Sequence, residues 1–105
     1  MSVCFQDDWP GATHRTLRNA TLNGWEAAGS SPIGKRPGEG DVVATIPGGE
    51  KIVRYLSTAP QHGMEGAVTD MAMYAGQGVD DIKDLPSARD LVARLWAECL
   101  DARRI

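Results

Sequence analysis

A chain of 105 residues with a formal net charge of −3 is long enough for one small domain, residues 1–105, and for no second one. The acidic balance argues against nucleic acid as a partner, because phosphate binding needs clustered lysines and arginines. No apolar run suits a signal peptide or a membrane span, so the sequence predicts a soluble, cytoplasmic protein without membrane contact. Two distant cysteines, Cys4 and Cys99, have no metal-ligand spacing and are predicted to be reduced thiols.

The N-terminal segment, residues 1–15, has no clear hydrophobic period. Its apolar side chains Val3, Phe5 and Trp9 have nothing local to pack on, which predicts that they lack partners in this chain. A helix is predicted over residues 16–28, where apolar positions recur at helical spacing before a terminal glycine. A Pro/Gly-rich connection follows this helix.

Two β-branched runs joined by Gly48-Gly49 predict a hairpin over residues 41–57. Residues 67–75 are then predicted to form a helix, with Met and Ala on one face and Gly76 as its terminator. The fold class expected from this order is α+β, with one hairpin and about three helices.

The C-terminal segment carries the clearest helical pattern, from Pro86 to Arg103. Ser87 and Asp90 have the spacing of a capping box. Its apolar stripe is expected to pack against the hairpin and Trp25, and it contains Ala88, Leu91, Val92, Leu95, Trp96 and Cys99. Cys99 is accordingly predicted to be a small buried hydrophobe.

Single residues supply no complete active site. Of the two histidines, His62 sits in a loop beside Gly63, and the sequence predicts neither a metal site nor a catalytic histidine. Asp7-Asp8 is interpreted as a solvated turn, and residues 80–84 as a charged loop. No phosphate-binding loop or nucleophile elbow occurs in the chain.

The motif Gly76-Gln77-Gly78 leaves two interpretations open. Glycine permits positive φ and lets another group approach the backbone closely, while a Gln amide both donates and accepts hydrogen bonds. The motif therefore suits contact with a heteroaromatic ring or a polar substrate. It equally suits a helix C-cap followed by a loop glycine.

The order of motifs "FQDDWP", "HRTLRN", "WEAAG", "RPGEGDVVA", "RY" and "MYAGQGV" resembles the C-terminal part of the nitronate monooxygenases, also called 2-nitropropane dioxygenases. The matching pieces are residues 5–10, 14–19, 25–29, 36–44, 54–55 and 73–79. No single piece is specific for the family. Together they keep the family's order and cover nearly the whole chain.

The resemblance implies a segment of an FMN-dependent TIM-barrel oxidoreductase that oxidises alkyl nitronates with O₂ to carbonyl compounds and nitrite. The family's barrel core, flavin-phosphate loops and catalytic histidine lie upstream of the matched region, so the resemblance implies no catalytic residue here. It implies instead that Tyr74, Gly76, Gln77 and Gly78 form part of the wall near flavin and substrate. The chain departs from the family at Asp80-Asp81, where the family continues with glycine and an apolar residue.

Three functions stay open from the sequence. The first is a nitronate monooxygenase-like fragment that is not catalytic alone and binds no stoichiometric FMN. The second is the small chain of a split flavoenzyme, which joins a barrel-forming protein partner. The third function is a non-catalytic α+β interaction module without flavin, acting as a monomer or as a homo-oligomer.

Overall fold

The computed structural model describes residues 1–104 and shows a small α+β domain with an extended C-terminal arm. Helix α1 spans Ala20–Ala27, and strands β1, β2 and β3 span Val42–Thr45, Lys51–Val53 and Glu65–Gly66. The second helix, α2, spans Ala88–Ala102. Short 3₁₀ turns at Val68–Asp70 and Gln77–Asp81 complete the described elements.

The sheet is antiparallel and has the order β2-β1-β3. The predicted hairpin is confirmed, because β1 pairs with β2 across a turn in which Gly48 and Gly49 have φ values of 107° and 97°. A bulge between Val42 and Ala44 shifts the register, and Val43 and Ala44 are consequently both buried. The third strand was not predicted from the sequence.

Gly66 in β3 shows why a glycine stands at the sheet edge. Its φ is 113°, and a Cβ built there would lie 2.8 Å from the carbonyl oxygen of Val43. A larger residue would push β3 away from β1. The hydrogen bond from the Ala67 N–H to Val43 O, at 2.7 Å, depends on this close approach.

Helix α1 begins later than predicted, at Ala20 instead of residue 16. Asn19 is its N-cap, and the Asn19 side chain accepts a hydrogen bond from the Leu22 N–H at 3.0 Å. Leu17 lies before the helix in an extended segment, where its N–H donates to Met73 O. Gly29, with a φ of 88°, follows the helix as predicted.

The helix predicted over residues 67–75 is wrong. Apart from the turn Val68–Asp70 the segment is extended, and Thr16 and Tyr74 form an antiparallel bridge. The physical reason is that neighbouring side chains of this segment pack into two different apolar clusters. Met71 enters a cluster with Val43, Ala44 and Ile52, whereas Ala72 enters a second cluster with Cys4, Phe5, Leu22, Trp25 and Tyr55. Successive side chains point to opposite sides only in an extended chain.

The N-terminal segment is an integral part of this core, contrary to the expectation from the sequence. Phe5 is 1% exposed in the second cluster, and Val3 packs against it. Backbone hydrogen bonds between Ser2 and His14 close the segment into a loop. Of the three apolar side chains singled out in this segment, Trp9 alone stays exposed.

Helix α2 has the predicted bounds to within two residues, and Ser87 accepts a hydrogen bond from the Asp90 N–H as an N-cap. Its predicted packing against the hairpin and Trp25 is wrong. Every residue from Ser87 to Ala102 is exposed, Cys99 included, and no other described element packs extensively on the helix. The radius of gyration is 17.8 Å, against about 13 Å for a compact chain of this length.

Replacing Phe5 by Ala is predicted to lower the free energy of unfolding by about 3–5 kcal/mol, since it empties a buried site. Leu95→Ala is the matched control, and we expect its effect to stay within about 0.5 kcal/mol, because Leu95 on α2 is 54% exposed. Urea denaturation at low protein concentration measures both. An equal loss for the two variants would contradict the described core.

Candidate functional site

The four predicted site residues lie together on one exposed edge of the domain. Tyr74 belongs to the extended segment, and its hydroxyl donates a hydrogen bond to Ser57 O at 2.5 Å. Burial raises the pKa of Tyr74, and the nearby charge of Asp8 raises it further, so the phenol stays protonated as a donor. The structure therefore holds the start of this edge in a fixed position.

The two glycines of the motif are not required by the fold of the described chain. Gly76 is extended, with φ −77° and ψ 172°, and it terminates no helix. A Cβ built at Gly76 or Gly78 would meet no heavy atom within 4 Å. Gln77 is exposed between them at the start of the turn Gln77–Asp81. The backbone at this edge is thus open to close approach from outside.

An open cleft of about 320 Å³ lies beside this edge. Ala75 and Val79, which flank the Gly-Gln-Gly motif, line the cleft together with residues 14–18. Arg18 in this wall pairs with Glu26 at 2.8 Å. The cleft is near the lower end of the volumes of small-molecule pockets.

His14 also borders the cleft, but both of its ring nitrogens are held by the backbone. The Phe5 N–H donates to His14 Nε2 at 3.1 Å, so the proton of the neutral ring is on Nδ1, which lies 3.1 Å from Ala12 O. This arrangement fixes the N-terminal loop. His62 is exposed in a different loop.

Sequence reasoning missed a buried electrostatic centre around Arg36. The Arg36 side chain is fully buried, donates hydrogen bonds to Asp7 and Glu39, and lies with Cζ 4.4 Å from the centre of the Tyr55 ring. Its Nη1 has no hydrogen-bond partner among residues 1–104. The three-residue spacing of Arg36 and Glu39 is compatible with an ion pair within the Pro/Gly-rich loop. That spacing does not indicate that the Arg36 side chain is buried.

Cys4 lies in the same region and is fully buried. Burial raises the pKa of the Cys4 thiol to about 12, although the charge of Arg36 acts in the opposite direction. A protonated, buried thiol is a poor nucleophile. The ion pair of Arg36 with Asp7 ties the N-terminal segment to the loop that carries Arg36.

Asp7 and Asp8 lie in a turn as predicted, but the prediction that their carboxylates are simply solvated is wrong. Asp7 pairs with Arg36, and Asp8 accepts two hydrogen bonds from Ser57, from its N–H and its hydroxyl, both at 2.9 Å. Burial opposes ionisation of Asp8, but the Ser57 hydrogen bonds outweigh it and hold the pKa of Asp8 below its ordinary value. This pair ties the N-terminal loop to the segment that fixes Tyr74.

Among residues 1–104, no group of three or more His, Cys, Asp or Glu side chains could hold a metal ion. The helices in this range also include none with the length and apolar character needed to cross a membrane. Comparison with protein-family models, with curated proteins and with solved structures finds no significant match.

Asp8→Asn is predicted to lower the melting temperature at neutral pH, because Ser57 loses an ionised acceptor. The folded pKa of Asp8 is depressed, so its contribution is present above the unfolded pKa of about 4 and is lost as the pH falls through the folded pKa. The variant should consequently lose less stability than the wild type as the pH falls from neutrality to below about 4, the ordinary pKa of an aspartate. Asp81→Asn, in an exposed turn, is the control. Parallel pH profiles for wild type and Asp8→Asn would contradict the assignment.

Proposed function

We propose that this chain is a nitronate monooxygenase-like segment that supplies one wall of an FMN site and acts only with a barrel that holds the flavin. The observation that carries the proposal is the exposed Gly76-Gln77-Gly78 edge. Its glycines serve no contact within the described chain, and its base is fixed by Tyr74. Such an edge suits a flat group supplied from outside.

The residues present fit contact with the ring of a flavin but not the capture of its phosphate. Phosphate binding needs free N–H groups at a helix start or a glycine-rich loop leading into a helix. The start of α1 is capped by Asn19, and that of α2 by Ser87. The adjacent cleft, at about 320 Å³, is also open. A complete flavin site therefore needs a second protein surface.

In the family that the sequence resembles, bound FMN supplies the oxidation of an alkyl nitronate by O₂ to a carbonyl compound and nitrite. Gln77 is assigned a binding role, because its side-chain amide can donate hydrogen bonds to, and accept them from, the edge of a flavin ring or a polar substrate. Tyr74 holds the backbone that presents the amide. No residue of this chain is assigned the role of catalytic base.

An interaction module without flavin is the second candidate. The observation that favours it is the exposed apolar face of α2 beside a body that has its own core. A folded chain that binds a protein but shows no response to FMN, alone or with a barrel, would identify this function.

The chain alone is predicted to show no saturable FMN binding and no release of nitrite from a nitronate. Mixed with a nitronate monooxygenase barrel that lacks its own C-terminal segment, it should shift the flavin absorbance and restore nitrite release. Gln77→Ala should lower the restored rate by about fivefold, the effect of one hydrogen bond of about 1 kcal/mol. Absorbance spectroscopy and a nitrite assay measure these effects.

Gln61→Ala is the matched control, since Gln61 is exposed in a loop away from the Tyr74 edge. Circular dichroism of each variant checks that the body stays folded. Nitrite release by the chain and FMN without a barrel would overturn the proposal of an incomplete site. A barrel whose flavin absorbance and nitrite release do not change when the folded chain is added would overturn the whole flavin proposal.

A further inference from the structure

Helix α2 carries an apolar face on which no other described helix or strand packs extensively, although the linker before it contacts the helix through the ion pair of Asp84 with Arg94 at 2.7 Å. Leu95 and Trp96 are 54% and 59% exposed, and the linker before the helix contains Leu85, which is 98% exposed. A helix of 15 residues is marginal by itself in water, because most helical stability in proteins comes from packing an amphipathic face. Packing this face against a second surface would stabilise the helix.

Two heptads can be assigned over α2, with Leu100 outside their apolar positions. Val92 and Cys99 occupy the first apolar position of the heptad, a, while Ala88, Leu95 and Ala102 occupy the second, d. A β-branched residue at a with leucine at d favours two-stranded parallel coiled coils. The helix thus has the core pattern of a dimer seam.

The flanking positions of the heptad match a parallel pair. In a parallel dimer, each g position faces the e position five residues later on the partner helix. Glu98 then faces the partner's Arg103, the C-cap residue that follows α2, and Leu91 faces the partner's Trp96. One facing pair is of opposite charge and the other is apolar.

The reversed orientation is disfavoured by the same charges. In an antiparallel pair, e positions face e positions and g positions face g positions. Arg89 would then lie near the partner's Arg103, and Glu98 near the partner's Glu98. Like charges at these positions destabilise the pair.

We propose that α2 of one copy pairs in parallel with α2 of a second copy and forms a two-stranded coiled coil. The inference does not rest on the flavin proposal, because the Tyr74 edge belongs to the body and α2 lies beyond it. The seam is about two heptads long, so the dimer is in equilibrium with monomer at micromolar concentrations.

Sedimentation equilibrium tests the proposal on the full chain between about 5 and 500 μM, a range that brackets weak to moderate affinity. The wild type is expected to show a monomer–dimer equilibrium. Leu95→Glu should weaken it by more than about 100-fold, because it places a charge in the seam. Ala97→Glu adds the same charge on the opposite face and should stay within about threefold.

A charge exchange tests the register. Glu98→Arg alone and Arg103→Glu alone should each weaken the dimer by about tenfold, since each variant creates two like-charge pairs. The double variant should return to within about threefold of the wild type, as its pairs are of opposite charge again. Circular dichroism confirms that each variant keeps its helix and body.

A disulfide tests the orientation. In a variant that combines Ala88→Cys with Cys99→Ser, the two introduced thiols face each other only in the parallel dimer; antiparallel pairing leaves them more than about 15 Å apart. Two protein thiols and one oxidised glutathione then give one intermolecular disulfide and two reduced glutathiones. Cys4 is buried and does not interfere.

A chain that stays monomeric at the highest concentration would overturn the proposal, and α2 would then belong to an interface with a different protein. A dimer that survives Leu95→Glu would overturn it as well. The same holds for an Ala88→Cys, Cys99→Ser variant that dimerises but forms no intermolecular disulfide.

Discussion

The structure depends on one extended segment, residues 71–75, that is shared between two apolar clusters. Met71 belongs to the cluster on the sheet, and Ala72 to the cluster under α1 and the N-terminal loop. Hydrogen bonds from Leu17 N to Met73 O and from Ala75 N to Arg15 O fix it along its length. The position of Tyr74, the cleft and the Gly-Gln-Gly edge all follow from this segment.

The sequence predicted correctly those elements that are determined by residues close together in the chain. The hairpin with Gly48-Gly49 and the bounds of α2 were predicted correctly, because turn residues and a helical period decide them. The helix over 67–75 failed, since its Met/Ala pattern fits either a helix face or an extended chain between two cores. Burial of Arg36 depends on Asp7 and Tyr55, which are distant in sequence, and no local pattern reveals it.

The two exposed surfaces differ in character. The Tyr74 edge is polar, built on a fixed backbone and open at its glycines, which suits recognition of a small planar group. The α2 face is a regular apolar stripe with charged flanks, which suits another helix. The flavin proposal concerns the body, and the dimer proposal concerns the arm. The motifs that resemble nitronate monooxygenases lie between residues 5 and 79, and α2 lies outside them.

Amide hydrogen exchange followed by NMR tests most directly whether the chain consists of a self-sufficient body and an unsupported arm. At low concentration, the amides of Leu17 and Ala75 should exchange slowly with solvent, as should the other amides of the body. The reason is that these two amides form hydrogen bonds across the extended segment. The amides of α2 should exchange fast in dilute protein and slow down as the concentration rises. Protection of α2 together with the body in dilute protein would contradict the account, since it would mean that the helix packs on its own chain.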